Sequence, residues 1–256
     1  MDFGWADRPL EIFLIASALQ WAGSFAGVRL TRRWPGLATI ERSDLDLARN
    51  AVLTLLAVII GFSLSMAVSR YDLRKAYEEA EANAIGTEYS RVDLLPPAAV
   101  ATTRDLIRKY ASLRVAFFSA QRDDELARLQ TETARLQEQM WEAVSRPATD
   151  QPTPLVALAV SGMNEVIDSE GRSRGAWANR LPDAVWGLLL IIAVGASLLF
   201  GVGRTRIPAV ISTALPLAIA VGLFLIAEID SPRGGVVRVP PDNLVLTMDA
   251  IAASPK

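Results

Sequence analysis

The feature that most constrains this chain is the stretch from Ala51 to Asp93. It opens as AVLTLLAVIIGFSLSMAV, apolar enough to cross a bilayer, and runs on as SRYDLRKAYEEAEANAIGTEYSRVD, which is highly charged. No proline interrupts it before the Pro96-Pro97 pair. A helix of this length reaches roughly 60 Å, about twice the hydrocarbon thickness of a membrane. The pattern predicts one continuous rod, half in lipid and half in water, joining a membrane part to a soluble part.

Composition excludes several function classes. The chain is 51% hydrophobic with a mean hydropathy of +0.27, an average over four apolar stretches and a strongly charged middle third. The formal net charge is -2 and there is no basic tail, so nucleic acid is not an expected partner. With neither Cys nor His in the sequence, disulfides, thiolate or imidazole metal sites and His- or Cys-based triads are impossible. The apolar stretches carry no carboxylate pair, and no Gly-rich phosphate loop is present. No catalytic residue, metal site or cofactor is therefore assigned, and the chain does not read as an enzyme. Near the N-terminus Asp2, Asp7 and Glu11 outweigh Arg8, which is unlike the basic start of a signal peptide. The first apolar segment reads as a retained span.

Taken in order, the first span is expected at Ile12 to Val28. It carries Gly23 and Gly27 at the four-residue spacing that lets helices pack closely; Gln20 and Ser24 alternatively face a water-filled path. A short loop with Arg29, Arg32, Arg33 and Arg42 follows, with Trp34 as an interfacial aromatic and Pro35-Gly36 as a turn. Ser43, Asp44 and Asp46 are N-cap candidates. In the second span, Leu47 to Val68, Gly61, Ser65, Ser69 and Asp72 recur at three- and four-residue steps and share one face. Ser63 lies about 200° away from Ser65 around the helix. Such a stripe serves either to pack helices or to line a pore. It continues through Ala76, Glu79, Asn83 and Gly86, and polarity persisting beyond the membrane suits a vestibule.

Amphipathic helices are expected at Val100 to Ala120, Asp123 to Ser145 and Leu155 to about Asn179, with a loop over 146–154. Trp177 and Trp186 bracket the start of a third span, Ala184 to Phe200, like belt residues. Gly201 to Pro208, containing Arg204 and Arg206, forms a tight connection to a fourth span, Ala209 to Ala227, in which Pro216 suggests a bend. Glu228 and Asp230 follow at once. They either sit among headgroups or form a ring of carboxylates at a pore mouth. Val236 to Val239 is the one expected strand, and Leu244 to Ile251 a short amphipathic helix. The expected organisation is thus 1–69 (two spans and the Arg-bearing loop), 70–183 (helical soluble domain), 184–228 (two further spans) and 229–256 (tail). The fold class is all-α.

The run Gly61-Phe62-Ser63-Leu64-Ser65-Met66-Ala67, then Ser69-Arg70-Tyr71-Asp72 and Glu81-Ala82-Asn83-Ala84-Ile85-Gly86-Thr87, resembles the bestrophin-like domain family of bacterial membrane proteins. Asn164-Glu165 with Ile167-Asp168, and Asp230-Ser231-Pro232-Arg233-Gly234, agree with it. The resemblance covers about residues 50 to 240. Its further link to bestrophins, which are pentameric chloride channels, rests on the order of spans and helices. It implies a homo-oligomer, with a pentamer favoured by analogy, in the inner membrane of a bacterial cell, with the lipid bilayer and inorganic ions as partners and the second span lining the pore. The pore-lining candidates are Gly61, Ser65, Ser69, Asp72, Glu79 and Asn83, and the pore-mouth candidates Glu228 and Asp230. The alternative is a non-conducting, membrane-anchored interaction or sensory protein. Selectivity does not follow: Glu78, Glu79, Glu81, Glu228 and Asp230 favour cations if they line the path, whereas the bestrophin analogy implies anions.

With four spans, the positive-inside rule places Arg29, Arg32, Arg33, Arg204 and Arg206 in the cytoplasm and the helical domain outside; the bestrophin orientation is the reverse. The native absence of Cys makes labelling clean. On the charge count, a Cys at Glu132 reacts with an impermeant thiol reagent added outside intact cells and one at Gly36 does not. The opposite pattern establishes the bestrophin-like orientation.

Overall fold

The computed structural model describes residues 8–204 and 209–253; Asp2, Asp7, Arg206 and Pro208 lie outside them. All regular structure among the described residues is helical: α1 (Pro9–Arg33), α2 (Arg42–Arg91), α3 (Pro97–Ser119), α4 (Asp123–Asp150), α5 (Pro154–Ala178), α6 (Asp183–Gly201), α7 (Ala209–Asp230) and α8 (Asp242–Ala253), with 3-10 turns at Pro35–Thr39 and Val92–Leu94. The uninterrupted second helix is present, and its 50 residues correspond to about 75 Å. Among the described residues four segments are long and apolar enough to cross a membrane: Pro9–Arg33, Arg42–Leu94, Pro154–Gly201 and Thr213–Asp230. The apolar part of the third is α6.

The chain divides into two compact units, Met1–Tyr71 with Arg180–Arg238, and Asp72–Asn179 with Val239–Lys256. The tail is therefore shared: its first residues belong to the apolar unit and α8 to the charged one.

In the apolar unit Ile12 and Ala16 of α1, Leu56 and Ala67 of α2, Trp186 and Leu189 of α6, and Leu223 and Ile226 of α7 form one core. Phe13 meets Phe224 edge-on, with ring centroids 6.0 Å apart. The Gly23/Gly27 spacing is spent inside the protomer. A methyl group on Gly27 would collide with the Leu198 carbonyl, and one on Gly201 with the Ser24 carbonyl, so α1 and α6 approach backbone to backbone. Ser24 Oγ donates to the Ser197 carbonyl at 3.2 Å, and Gln20 is buried beside it, which takes both away from a water path. Arg49 closes the C-terminal end of α6, donating to Leu199 O at 3.0 Å and Val202 O at 2.6 Å; a cation at orphan helix carbonyls is electrostatically favoured. Gly203, just after α6, adopts φ 75, where a side chain would be strained.

In the charged unit the expected apolar stripes point inward. Ile107, Tyr110 and Phe117 of α3, Leu136, Met140 and Val144 of α4, and Val156, Ala159, Met163 and Val166 of α5 are buried. At the centre, Arg114 of α3 pairs with Glu81 of α2, one N–H···O distance being 3.2 Å, and lies 3.7 Å from Glu170 of α5. Its guanidinium also sits over the Phe117 ring, 4.4 Å from the centroid. Burial pushes the Glu81 carboxyl up, with Arg114 opposing that shift. Glu88, further along α2, is buried and neither carboxylate oxygen has a hydrogen-bond partner. It occupies the space left by the missing side chain of Gly162. Burial raises its pKa to about 8, against the attraction of Arg91.

Several local expectations are corrected. Val236–Val239 is not a strand: β-branched residues need a neighbouring strand to pair with, and Val236 is 89% exposed. The loop over 146–154 shrinks because α4 continues through Pro147 to Asp150. α5 then starts at once, capped by Thr153, whose hydroxyl accepts from Val156 N at 3.2 Å. Arg29, Arg32 and Arg33 belong to the last turns of α1 rather than to a loop. Ser43 donates to Glu41 at 3.3 Å, within a helix that already began at Arg42. Trp177 and Trp186 are core residues, 6% and 1% exposed. Trp177 stacks edge-on against Phe117 and Phe118.

Two consequences can be measured by thermal unfolding of the purified protein. Removing one partner of a buried ion pair leaves the other charge uncompensated, so Arg114→Ala is expected to cost about 3–5 kcal/mol. The native state binds the Glu88 proton more tightly than the unfolded chain does. The contribution of Glu88 to stability is therefore fully present below about pH 4.5, falls as pH rises and is lost above about 8, with a slope of at most about 1.4 kcal/mol per pH unit. Glu88→Gln is expected to flatten that dependence.

Candidate functional site

The α2 helix has two unlike sides. Leu56, Ser63 and Ala67 point into the apolar unit, each 2% exposed or less. Gly61, Ser65 and Ser69 are exposed. Nothing lies within 4 Å of the position a Cβ would take at Gly61. Gly61, Ser65 and Ser69 therefore lie open on the surface of the protomer. Leu55, Val58, Phe62 and Met66 flank them and are also exposed, Phe62 to 68%. Only 17% of the apolar window of α2 is buried, against 39% in α1 and 44% in the last span. Of the four, α2 is the helix whose surface most needs something outside the protomer. Thr54, seven residues before Gly61, is exposed too and extends the stripe. Its seven-residue spacing from Gly61 is legible in the sequence.

In the charged unit Asp72, Glu79 and Asn83 are likewise exposed, as is Lys75. The neighbouring acids are not available in the same way. Glu78 is buried and holds the start of α8: its Oε1 accepts from Leu244 N at 2.8 Å and its Oε2 from Asn243 Nδ2 at 2.7 Å. A carboxylate at a helix N-terminus satisfies orphan amides and meets the positive end of the dipole. Glu81 is committed to Arg114. Of the five acids Glu78, Glu79, Glu81, Glu228 and Asp230, only Glu79 is exposed.

Glu228 and Asp230, expected as pore-mouth carboxylates, are turned inward, 7% and 2% exposed. Glu228 Oε2 accepts from Val236 N at 2.6 Å. Both Asp230 oxygens accept from Leu181 N, at 3.1 and 3.0 Å. Ser231 Oγ accepts from Gly234 N at 2.9 Å, and Arg238 Nε donates to Gly235 O at 2.8 Å. The Asp230–Gly234 motif thus builds the turn that ends α7 and ties it to the start of α6. A buried carboxylate serving backbone amides is a positioning device; a ring at a pore mouth needs its charge in water. In α5, Asn164 Nδ2 donates to Asp168 at 3.0 Å, one turn apart on the exposed surface. Among the described residues no three acidic side chains gather as a metal site.

A profile of the bestrophin-like domain matches residues 27–244. No curated protein sequence matches the chain. The fold is similar to crystal structures of a bacterial bestrophin homolog from Klebsiella pneumoniae. A point variant of it is 16% identical with a TM-score of 0.62, the match covering 94% of each chain. A second variant matches with a TM-score of 0.63 at 16% identity over 94% of this chain and 99% of that one. The structure of the homolog phased on zinc gives 0.62 at 16% identity, again over 94% and 99%. At this identity the likeness establishes the fold, while the domain match spans most of the sequence and includes the α2 stripe and the Asp230–Gly234 turn. On that match, the chain belongs to the bestrophin-like domain family.

Proposed function

We propose that the protein is an oligomeric ion channel of the bacterial inner membrane, in which copies of α2 surround an axial path. The observation that carries this reading is the exposed stripe of small and hydroxyl-bearing residues, Gly61, Ser65 and Ser69, on a helix that leaves most of its apolar window uncovered. Small side chains leave room for an ion, and hydroxyl dipoles replace part of its hydration. Four spans from one chain enclose no hydrated path, so conduction requires several copies around an axis. Five is the number the bestrophin resemblance implies. Asp72, Glu79 and Asn83 supply polar lining beyond the membrane-spanning part of α2, and exposed Lys75 partly offsets their charge. Glu228 and Asp230 support the turn after α7 instead of facing the ion. With Glu78, Glu81, Glu228 and Asp230 all engaged by donors in their own protomer, the lining is much less acidic than the sequence suggests, and the choice between anion and cation rests on few charges.

Reconstitution into planar bilayers tests the reading. The wild-type oligomer is expected to carry single-channel current in chloride salts of sodium or potassium. Ser65→Leu is expected to keep the oligomer mass and lower conductance at least several-fold, because apolar lining favours dewetting of a narrow path. Ser63→Ala, on the buried side, is the control and leaves conductance unchanged. Absence of current from an intact wild-type oligomer favours the membrane-anchored interaction protein instead. Loss of the oligomer in Ser65→Leu shows that the stripe is a seam between copies.

A further inference from the structure

The Arg-bearing end of α1 has a face that the protomer leaves uncovered. Ala22, Phe25, Ala26, Arg29, Leu30 and Arg33 line an open trough of about 620 Å³. Its walls change character along the helix. Ala22, Phe25 and Ala26 make an apolar floor, with Phe25 61% exposed. One turn on, Arg29 and Arg33 stand four residues apart on the same side of the helix, close enough to act on one group. Among the described residues neither guanidinium has an ion pair or hydrogen bond. Arg49 in the same unit is the contrast, with Asp46 and two helix carbonyls as partners. Trp34, 61% exposed, immediately follows Arg33 and suits the interface between headgroups and water.

An apolar floor ending in two unpaired guanidiniums is the complement of one kind of molecule: an acyl chain ending in a phosphodiester. Arginine binds phosphate through paired N–H donors, and its stem lies along apolar surface while its head reaches the polar region. A zwitterionic headgroup brings a cation that two arginines repel, so a net negative headgroup is preferred. Free phosphate would use the arginines and leave the floor empty. We propose that this face of α1 is a binding site for one anionic phospholipid, with the phosphodiester held between Arg29 and Arg33 and an acyl chain along Ala22, Phe25 and Ala26. The site does not depend on whether the protein conducts.

Native mass spectrometry of the detergent-purified oligomer, equilibrated with equimolar phosphatidylglycerol and phosphatidylcholine, reads the preference directly. Wild type is expected to retain phosphatidylglycerol roughly tenfold over phosphatidylcholine, from two cations at the membrane surface. Arg29→Gln combined with Arg33→Gln is expected to abolish the preference at unchanged oligomer mass, while Arg42→Gln preserves it. Ala26→Trp fills the floor and keeps both arginines; it is expected to reduce retention of phosphatidylglycerol. The proposal is overturned if wild type shows no preference or if the double variant keeps it. It is equally overturned if Ala26→Trp changes the number of copies, which would mean that another copy covers this face. Retention unaffected by Ala26→Trp but competed away by inorganic phosphate would make the site one for a free anion.

Discussion

The charged unit depends on Arg114. A guanidinium cannot be left alone in an apolar interior, and four helices contribute to its surroundings. Glu81 of α2 pairs with it, Glu170 of α5 lies 3.7 Å away, and Phe117 of its own helix lies beneath it. Gln137 of α4 reaches both Glu170 and Tyr110, at 3.4 and 3.5 Å. Apolar packing alone tolerates small slips in register; a buried ion pair does not, because a displaced partner leaves a bare charge. The favourable energy of such a pair is largely offset by desolvation, and what it adds is the penalty on any arrangement that separates Arg114 from Glu81. Burial drives Glu81 towards its protonated form, Arg114 opposes that shift, and the nearby Glu170 charge adds a smaller push in the same direction as burial.

The α2 helix passes through both units and is used differently in each. In the apolar unit it buries Leu56, Ser63 and Ala67 and leaves Gly61, Ser65 and Ser69 open. In the charged unit it buries Arg74, Glu78, Glu81 and Glu88 and leaves Asp72, Glu79 and Asn83 open. The buried polar residues are held by partners distant in sequence. Arg74 Nε donates to Ala176 O at 3.4 Å, and Glu78 holds the first amides of α8. Glu88 is the exception, a carboxylate without a donor beside Gly162. The open face is the part of the helix left free for contacts outside the protomer.

Much of the fold was legible because helical periodicity is a local property. The spacing of Ile107, Tyr110 and Phe117, or of Leu136, Met140 and Val144, marks an inward face whatever the helix packs against. The absence of proline between Ala51 and Asp93 was enough to read the rod. The close-packing spacing of Gly23 and Gly27 was equally plain, but its partner was not: the seam lies against α6 of the same protomer. Trp177 and Trp186 show a related ambiguity. An aromatic beside an apolar run looks alike whether it meets headgroups or a core; contact with Phe117 and Phe118 distinguishes the two for Trp177, and burial among Leu189, Leu223 and Ile226 for Trp186.

The sequence by itself determined the all-helical class, four apolar spans, the continuity of α2, the exclusion of Cys and His chemistry, and the stripe Gly61–Ser65–Ser69–Asp72. Each of these follows from residue type and from spacing within one helix. Only the tertiary structure decided which acids remain available. Glu78, Glu79 and Glu81 lie within four residues and look equivalent in the sequence, yet Glu78 is consumed by an amide 166 residues away, Glu81 by an arginine 33 residues away, and Glu79 faces out. Glu228 and Asp230 are likewise taken by the backbone at Val236 and Leu181. Whether a carboxylate meets water or a buried donor depends on groups that folding brings to it, and no pattern within its own helix encodes that.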